Sequence, residues 1–164
     1  MAMITPAGCI AGAKSIVESV PGVGIVHNYR RIIRTEQDVK TLLYSGGKVN
    51  AWMVGLSGDG TALSKRNPGH HGVGVKGGGN VLTTFQVNVE GYYGISDADA
   101  SEVTFRNLAW AVADEFNAYG IIPGVDGLVM QGPAQLFTVG YSLLASTFLF
   151  HYCRMTLDLQ GRTR

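Results

Sequence analysis

The 164 residues predict a single α+β domain spanning 1–164, with a largely antiparallel sheet of about four or five strands packed by two or three helices. Three observations predict it. Segments with strand periodicity follow one another without a helix between every pair. The strongest helix pattern follows directly on the strongest strand pattern, within Val81 to Asn117. The chain has 23 glycines, and many lie between Gly46 and Gly94, which implies long turns and hairpin tips there.

The elements are justified in order. Thr5-Pro6 resembles a cap followed by a first-turn proline, and Ile10, Ala13, Val17 and Val20 continue as a helical stripe that Pro21-Gly22 stops. Gly24 to Ile32 reads as a first strand. Thr35 caps a short helix through Tyr44, closed by Ser45-Gly46-Gly47. Val49 to Leu56 is a second strand, with Trp52 and Val54 on one face. Ser57 to Asn80 has almost no bulky apolar residue and reads as a long Gly-rich hairpin loop. Val81, Thr83, Phe85, Val87 and Val89 alternate as a third strand with one buried face, running to Tyr93.

Ser96 or Asp97 then offers a cap for the main helix, with Asp99 or Glu102 in its first turn. Ala98, Ser101, Phe105, Leu108, Ala109, Val112 and Phe116 share its inner face, and Gly120 is free to take a left-handed cap. Burying Phe105, Leu108, Val112 or Phe116 stabilises the fold by roughly 1.5–3 kcal/mol each. Leu128 to Met130 and Gln135 to Ser142 form a fourth strand, broken near Gly132-Pro133. Leu143 to Leu159 is the fifth. It sets Phe148, Phe150 and Tyr152 against Leu149, His151 and Cys153, which suits a strand covered on both sides.

Composition excludes several classes. A net charge of +1 gives no global attraction to nucleic acid or membrane, so any such contact needs a local patch. The start of the chain lacks a basic region and a long apolar core, so no signal peptide is expected. Val139 to Cys153 is too short and too polar for a span of ~20 residues. Cys9 and Cys153 are far apart and form no ligand-spaced motif, which fits idle thiols in a soluble intracellular protein.

The chemical motifs are empty. Gly72 to Gly77 spells G-x-G-x-x-G, but a strand follows where a dinucleotide site needs a helix. Ser45-Gly46-Gly47-Lys48 lacks the rest of a phosphate loop. His70-His71 on a loop, with only His27, His151 and Asp59 as conceivable helpers, makes a poor metal site. Asp97, Asp99 and Glu102 are explained by the helix start. No Ser or Cys sits in a nucleophile elbow and no zinc-hydrolase motif occurs. No catalytic residue, cofactor or metal is assigned.

What remains points to assembly. Lys65, Arg66 and Lys76 in the long loop, with Arg162 and Arg164 in the tail, are the local basic elements. Repeated around a ring, they would line a channel and contact phosphate without reading sequence. Val103 and Trp110 form a second stripe on the main helix, opposite Phe105 and Leu108. It packs either against the first helix or against a neighbouring subunit, where Trp is enriched. Val103, Trp110, Phe148 and Phe150 are therefore the candidate subunit interface.

The order of features is familiar. A helix ends in IVESVPGVGIVHNYRR, a strand carries Trp52, and a strand ending in EGYYGISDADASEVTF feeds an amphipathic helix. A GPAQ turn at Gly132 to Gln135 precedes the final strand FLFHYCRMTLDLQ. From about Ile16 to Gln160 this resembles the small head-to-tail joining proteins of tailed bacteriophages, most closely the tail terminator (tail completion) family. The resemblance implies a structural virion protein of the neck, assembled in the host cytoplasm. It implies a homo-oligomeric ring, commonly a hexamer, that caps the tail tube protein, meets the head-to-tail connector protein and lets genomic DNA pass. It brings no cofactor, no catalytic residue and no membrane. The alternatives are another neck component, a connector or stopper, and a small α+β enzyme with the Gly-rich loop as lid.

Overall fold

The structure, a computed structural model, describes residues 4–57, 63–65, 81–144 and 148–163. In chain order its elements are α1 (Pro6–Ser19), β1 (Ile25–His27), α2 (Glu36–Leu42), β2 (Tyr44–Ser45), β3 (Lys48–Leu56), β4 (Leu63–Lys65), β5 (Val81–Gly94), a 3₁₀ turn (Asp97–Asp99), α3 (Ser101–Ala118), β6 (Val129–Met130), β7 (Gln135–Leu144) and β8 (Phe148–Thr163). The strands belong to one sheet built around β3-β5-β8. β5 and β8 pair antiparallel from Val81↔Thr163 to Gly94↔Phe150. On the far edge of β5, β3 and then β4 pair in succession; on the far edge of β8, β7 and β6 do. Among the described strands only β1 runs parallel to its neighbour, β3. The fold is α+β with a mostly antiparallel sheet, as the sequence predicts. The described strands number eight rather than four or five, because β2 and β4 are too short to carry a period and the expected fourth strand divides into β6 and β7.

Alternation sends one face of the sheet into the main core. Trp52, Val54, Phe85, Val87, Val89, Met155 and Leu157 meet Ile16 and Val17 of α1 and Phe105, Val112 and Phe116 of α3. Leu108 is buried there too, so the predicted inner face of α3 holds from Ser101 to Phe116. On the second face, α2 covers one end only. Val39 and Leu43 pack on Val49, Ala51, Met53, Tyr92 and Phe150. Further along, that face is polar, with Gln160 donating to Thr84, Gln86 to Asp158 and Thr156 to Asn88 at 3.3, 3.2 and 2.9 Å.

Local signals explain most boundaries. The Thr5 hydroxyl accepts the Gly8 N–H at 3.0 Å with Pro6 next in line, starting α1. Thr35 and Asp38 form a reciprocal capping box on α2. That helix ends at Leu42, not Tyr44, because Tyr44 and Ser45 pair with β3 across a Gly46-Gly47 turn in which both glycines have positive φ. The first strand stops at His27 rather than Ile32.

The start and end of α3 differ from expectation. Ser96 and Asp97 do not cap it. Ser96 instead opens the 3₁₀ turn, its carbonyl accepting the N–H groups of Asp99 and Ser101, and its hydroxyl bonds Asp99 at 2.7 Å. Ala98 therefore precedes the helix. The cap residue is Ala100, held left-handed at φ 47° and ψ 45° with no side-chain capping bond. At the other end Tyr119 is the extended cap, and Gly120 is not among the positive-φ glycines. The last two strands also divide differently: Leu143 and Leu144 close β7, and β8 begins at Phe148.

Candidate functional site

The large apolar groups that the chain leaves uncovered define the surface of interest. On α3, Phe105, Val112 and Phe116 turn inward, so Val103 and Trp110, two turns apart on the opposite side, turn outward. They are 59% and 60% exposed. α1 packs beside α3, where the Ser19 hydroxyl reaches Glu115 at 3.4 Å, and does not cover this stripe.

A second apolar group lies at the end of the β7–β8 hairpin. Leu143 and Leu149 are register partners, 63% and 50% exposed. They share the helix-side face with Tyr141 and His151, the next pair along. The Tyr141 hydroxyl donates to Glu102 at 3.0 Å, which joins the hairpin end to the first turn of α3, one residue from Val103. That bond, with Arg106 on the other oxygen, holds the Glu102 carboxyl below its usual range. β7 pairs only with β8 among the described residues, so its outer edge is open to another chain.

Phe150 departs from the interface expected for it. It is 4% exposed, covered by its own chain in the cluster under α2, and so does not form a surface contact. Phe148 is half-buried against the same cluster, with its ring 6.2 Å from that of Phe150. Of the basic candidates, Lys65 lies at the end of β4, paired with Leu82. Arg66 and Lys76 lie outside the described residues, as do His70, His71, Asp59 and most of the Gly-rich loop.

Beneath the hairpin end, Ser101 Oγ sits 2.8 Å from His151 Nε2 and accepts the Ser96 N–H at 2.8 Å. The His151 ring lies between those of Phe105 and Tyr141, at 5.8 and 5.1 Å. Both members of the Ser–His pair are buried, so it ties β8 to the start of α3. Sequence reading missed it because the two residues are fifty positions apart with no motif. An open cleft of about 500 Å³ lies alongside, lined by Lys48, Tyr93, Asp99, Ser101 and Leu149 among others. Lys48 is already committed there, bonded to the Tyr93 hydroxyl at 2.6 Å.

Among the described residues, His27 is occupied and both thiols are enclosed. His27 bonds the Leu42 carbonyl through Nε2 at 2.7 Å and accepts from Arg31 at Nδ1 at 3.3 Å. Burial pushes the Cys9 thiol up to about 11 and the Cys153 thiol to about 12. Among the described residues no group of three or more His, Cys, Asp or Glu gathers to hold a metal, and no helix is long and apolar enough to cross a membrane. No protein-family model matches the chain, and no curated protein matches it either.

Proposed function

We propose that the chain is a structural subunit of a tailed-phage neck, a tail terminator. Copies form a ring that caps the tail tube and joins it to the head connector, with the genome passing through the lumen. The observation that carries this reading is the exposed apolar surface of Val103, Trp110, Leu143 and Leu149 beside an open strand edge. A monomer rarely keeps groups of this size uncovered together, and a repeated head-to-tail contact would bury them. The order of sequence features from Ile16 to Gln160 supplies the family.

Electron microscopy of the purified protein mixed with tail tubes tests it. Closed rings at one end of each tube are the expected result. Bare tubes beside single copies of the chain would overturn it. A ring bound to heads rather than tubes would indicate the connector or stopper. The enzyme reading draws on the 500 Å³ cleft beside Ser101, but the enclosed hydroxyl disfavours it. Turnover of a small ester by the monomer, abolished in Ser101→Ala, would restore it.

A further inference from the structure

The second face of the sheet concentrates arginine. At its middle, the buried Glu90 carboxylate accepts from the Tyr92 hydroxyl at 3.2 Å and pairs with Arg30 Nε at 3.4 Å. Glu90 engages only that one edge of Arg30, whose side chain is otherwise open to solvent. Arg154 is the register partner of Glu90 on β8 and has no ion pair within 4 Å among the described residues. Arg30 and Arg154 line one open cleft of about 290 Å³, with Asn88 and Glu90 at its floor. Arg31 adjoins it. Its backbone N–H reaches Met53 Sδ at 3.3 Å, and its guanidinium, which donates to His27 and to the Tyr29 hydroxyl, lies 4.1 Å from the centre of the exposed Tyr29 ring. On this face Arg30, Arg31 and Arg154 stand against Glu90 and Asp158; on the opposite layer, α1 and α3, Glu18, Glu102, Asp114 and Glu115 outnumber Lys14 and Arg106.

We propose that this arginine-lined face binds the sugar–phosphate backbone of double-stranded DNA without reading its sequence. Arginine's planar fork binds a phosphate with two parallel hydrogen bonds, as it binds a carboxylate, so two other features favour phosphate over an acidic protein. From the cleft, which Met53 and Leu56 also line, the face continues as hydrogen-bonding groups: Asn88 and Thr156, Gln86 and Asp158, then Thr84 and Gln160. DNA-binding surfaces are more polar and more positively charged than protein–protein interfaces. The acidic helix layer also turns this face, and not the other, toward a polyanion. The proposal rests on the ring reading only for the source of the DNA, the genome in the lumen.

The test is fluorescence anisotropy of a labelled random-sequence duplex with the full chain, at increasing salt. Binding at low salt is expected, weakening linearly on a log–log plot as counterions are released. Arg31→Gln with Arg154→Gln should weaken binding roughly tenfold and reduce the slope by about two, near 0.9 for each phosphate no longer neutralised. Arg154→Lys should keep the slope. Arg106→Gln, on the acidic layer, removes one positive charge and should change neither quantity. Thermal melts of each variant distinguish weaker DNA binding from unfolding. No binding at low salt, an equal weakening in Arg106→Gln, or capture of polyglutamate in preference to the duplex overturns the proposal. Rings on tail tubes from a protein that ignores DNA overturn it alone. DNA binding by a chain that never forms rings leaves it standing and removes the ring reading.

Discussion

Gly91 sits where the central strands meet. A Cβ there would lie 2.8 Å from Cys153 Sγ and from the Trp52 ring, closer than real side chains approach. Gly91→Ala should therefore destabilise the fold by about 1–3 kcal/mol through overpacking, measured by denaturant unfolding. Ala100 is the opposite case. Its left-handed backbone penalises a Cβ that makes no compensating capping bond. Ala100→Gly should raise the melting temperature, with a gain of up to about 1 kcal/mol; an unchanged or lower value would show that the conformation carries no strain. Neither residue was legible in the sequence. Glycine in a strand announces a close approach but not its partner. A cap search finds the nearest Ser or Asp, and here the Ser96 hydroxyl is spent on Asp99 one turn too early.

Periodicity exposed the long elements well. The inward face of β5 and the core stripe of α3 were both readable, and they meet as expected, with Phe105 against Trp52 and Tyr93 at 6.3 and 5.9 Å. Phe105→Ala should cost about 3–5 kcal/mol in thermal or denaturant unfolding. The boundary between β7 and β8 was hidden because no Gly, Pro, Asn or Asp marks it: Leu143 to Phe148 reads LLASTF. Leu143 and Leu149 read as one face of one strand, whereas the chain folds back to make them a pair across two. The second cluster was hidden for another reason: nothing in its period says that α2 folds over Phe150. The capping box of α2 adds a pH dependence. The Arg34 N–H, then the Thr35 hydroxyl and N–H, hold the Asp38 carboxyl below its ordinary value near 3.8. The stabilisation is thus complete above that value and fades as pH falls through the lower, folded one. Asp38→Ala should lower the melting temperature at neutral pH, and the difference from the parent should close in strong acid.

The apolar surface of the whole subunit can be tested without disturbing its core. Trp110→Glu and Leu143→Asp change exposed groups, so each should shift stability by no more than about 0.5 kcal/mol. If the proposed ring forms through this surface, they should together abolish it on tail tubes, seen by electron microscopy, while the melting curve stays in place. Rings of normal yield would mean that subunits meet elsewhere. Half of this surface was legible, because Val103 and Trp110 oppose the core stripe on one helix. The other half depends on the pairing of Leu143 with Leu149, which no period marks. The arginine face was missed because its members come from one loop and a distant strand, joined only by the register that sets Arg154 beside Glu90.

The two buried thiols also give the molecule a clock. Cys9 lies on the buried face of α1, and Cys153 lies on the central ladder beside Gly91 and Trp52. With thiolate formation suppressed at both, a thiol-specific reagent reacts only when the chain opens. Lifting α1 away suffices to uncover Cys9, while Cys153 waits for the sheet itself to part. Labelling followed by mass spectrometry should therefore show two rates, Cys9 first, and the gap between them times the undocking of one helix against the opening of the whole fold.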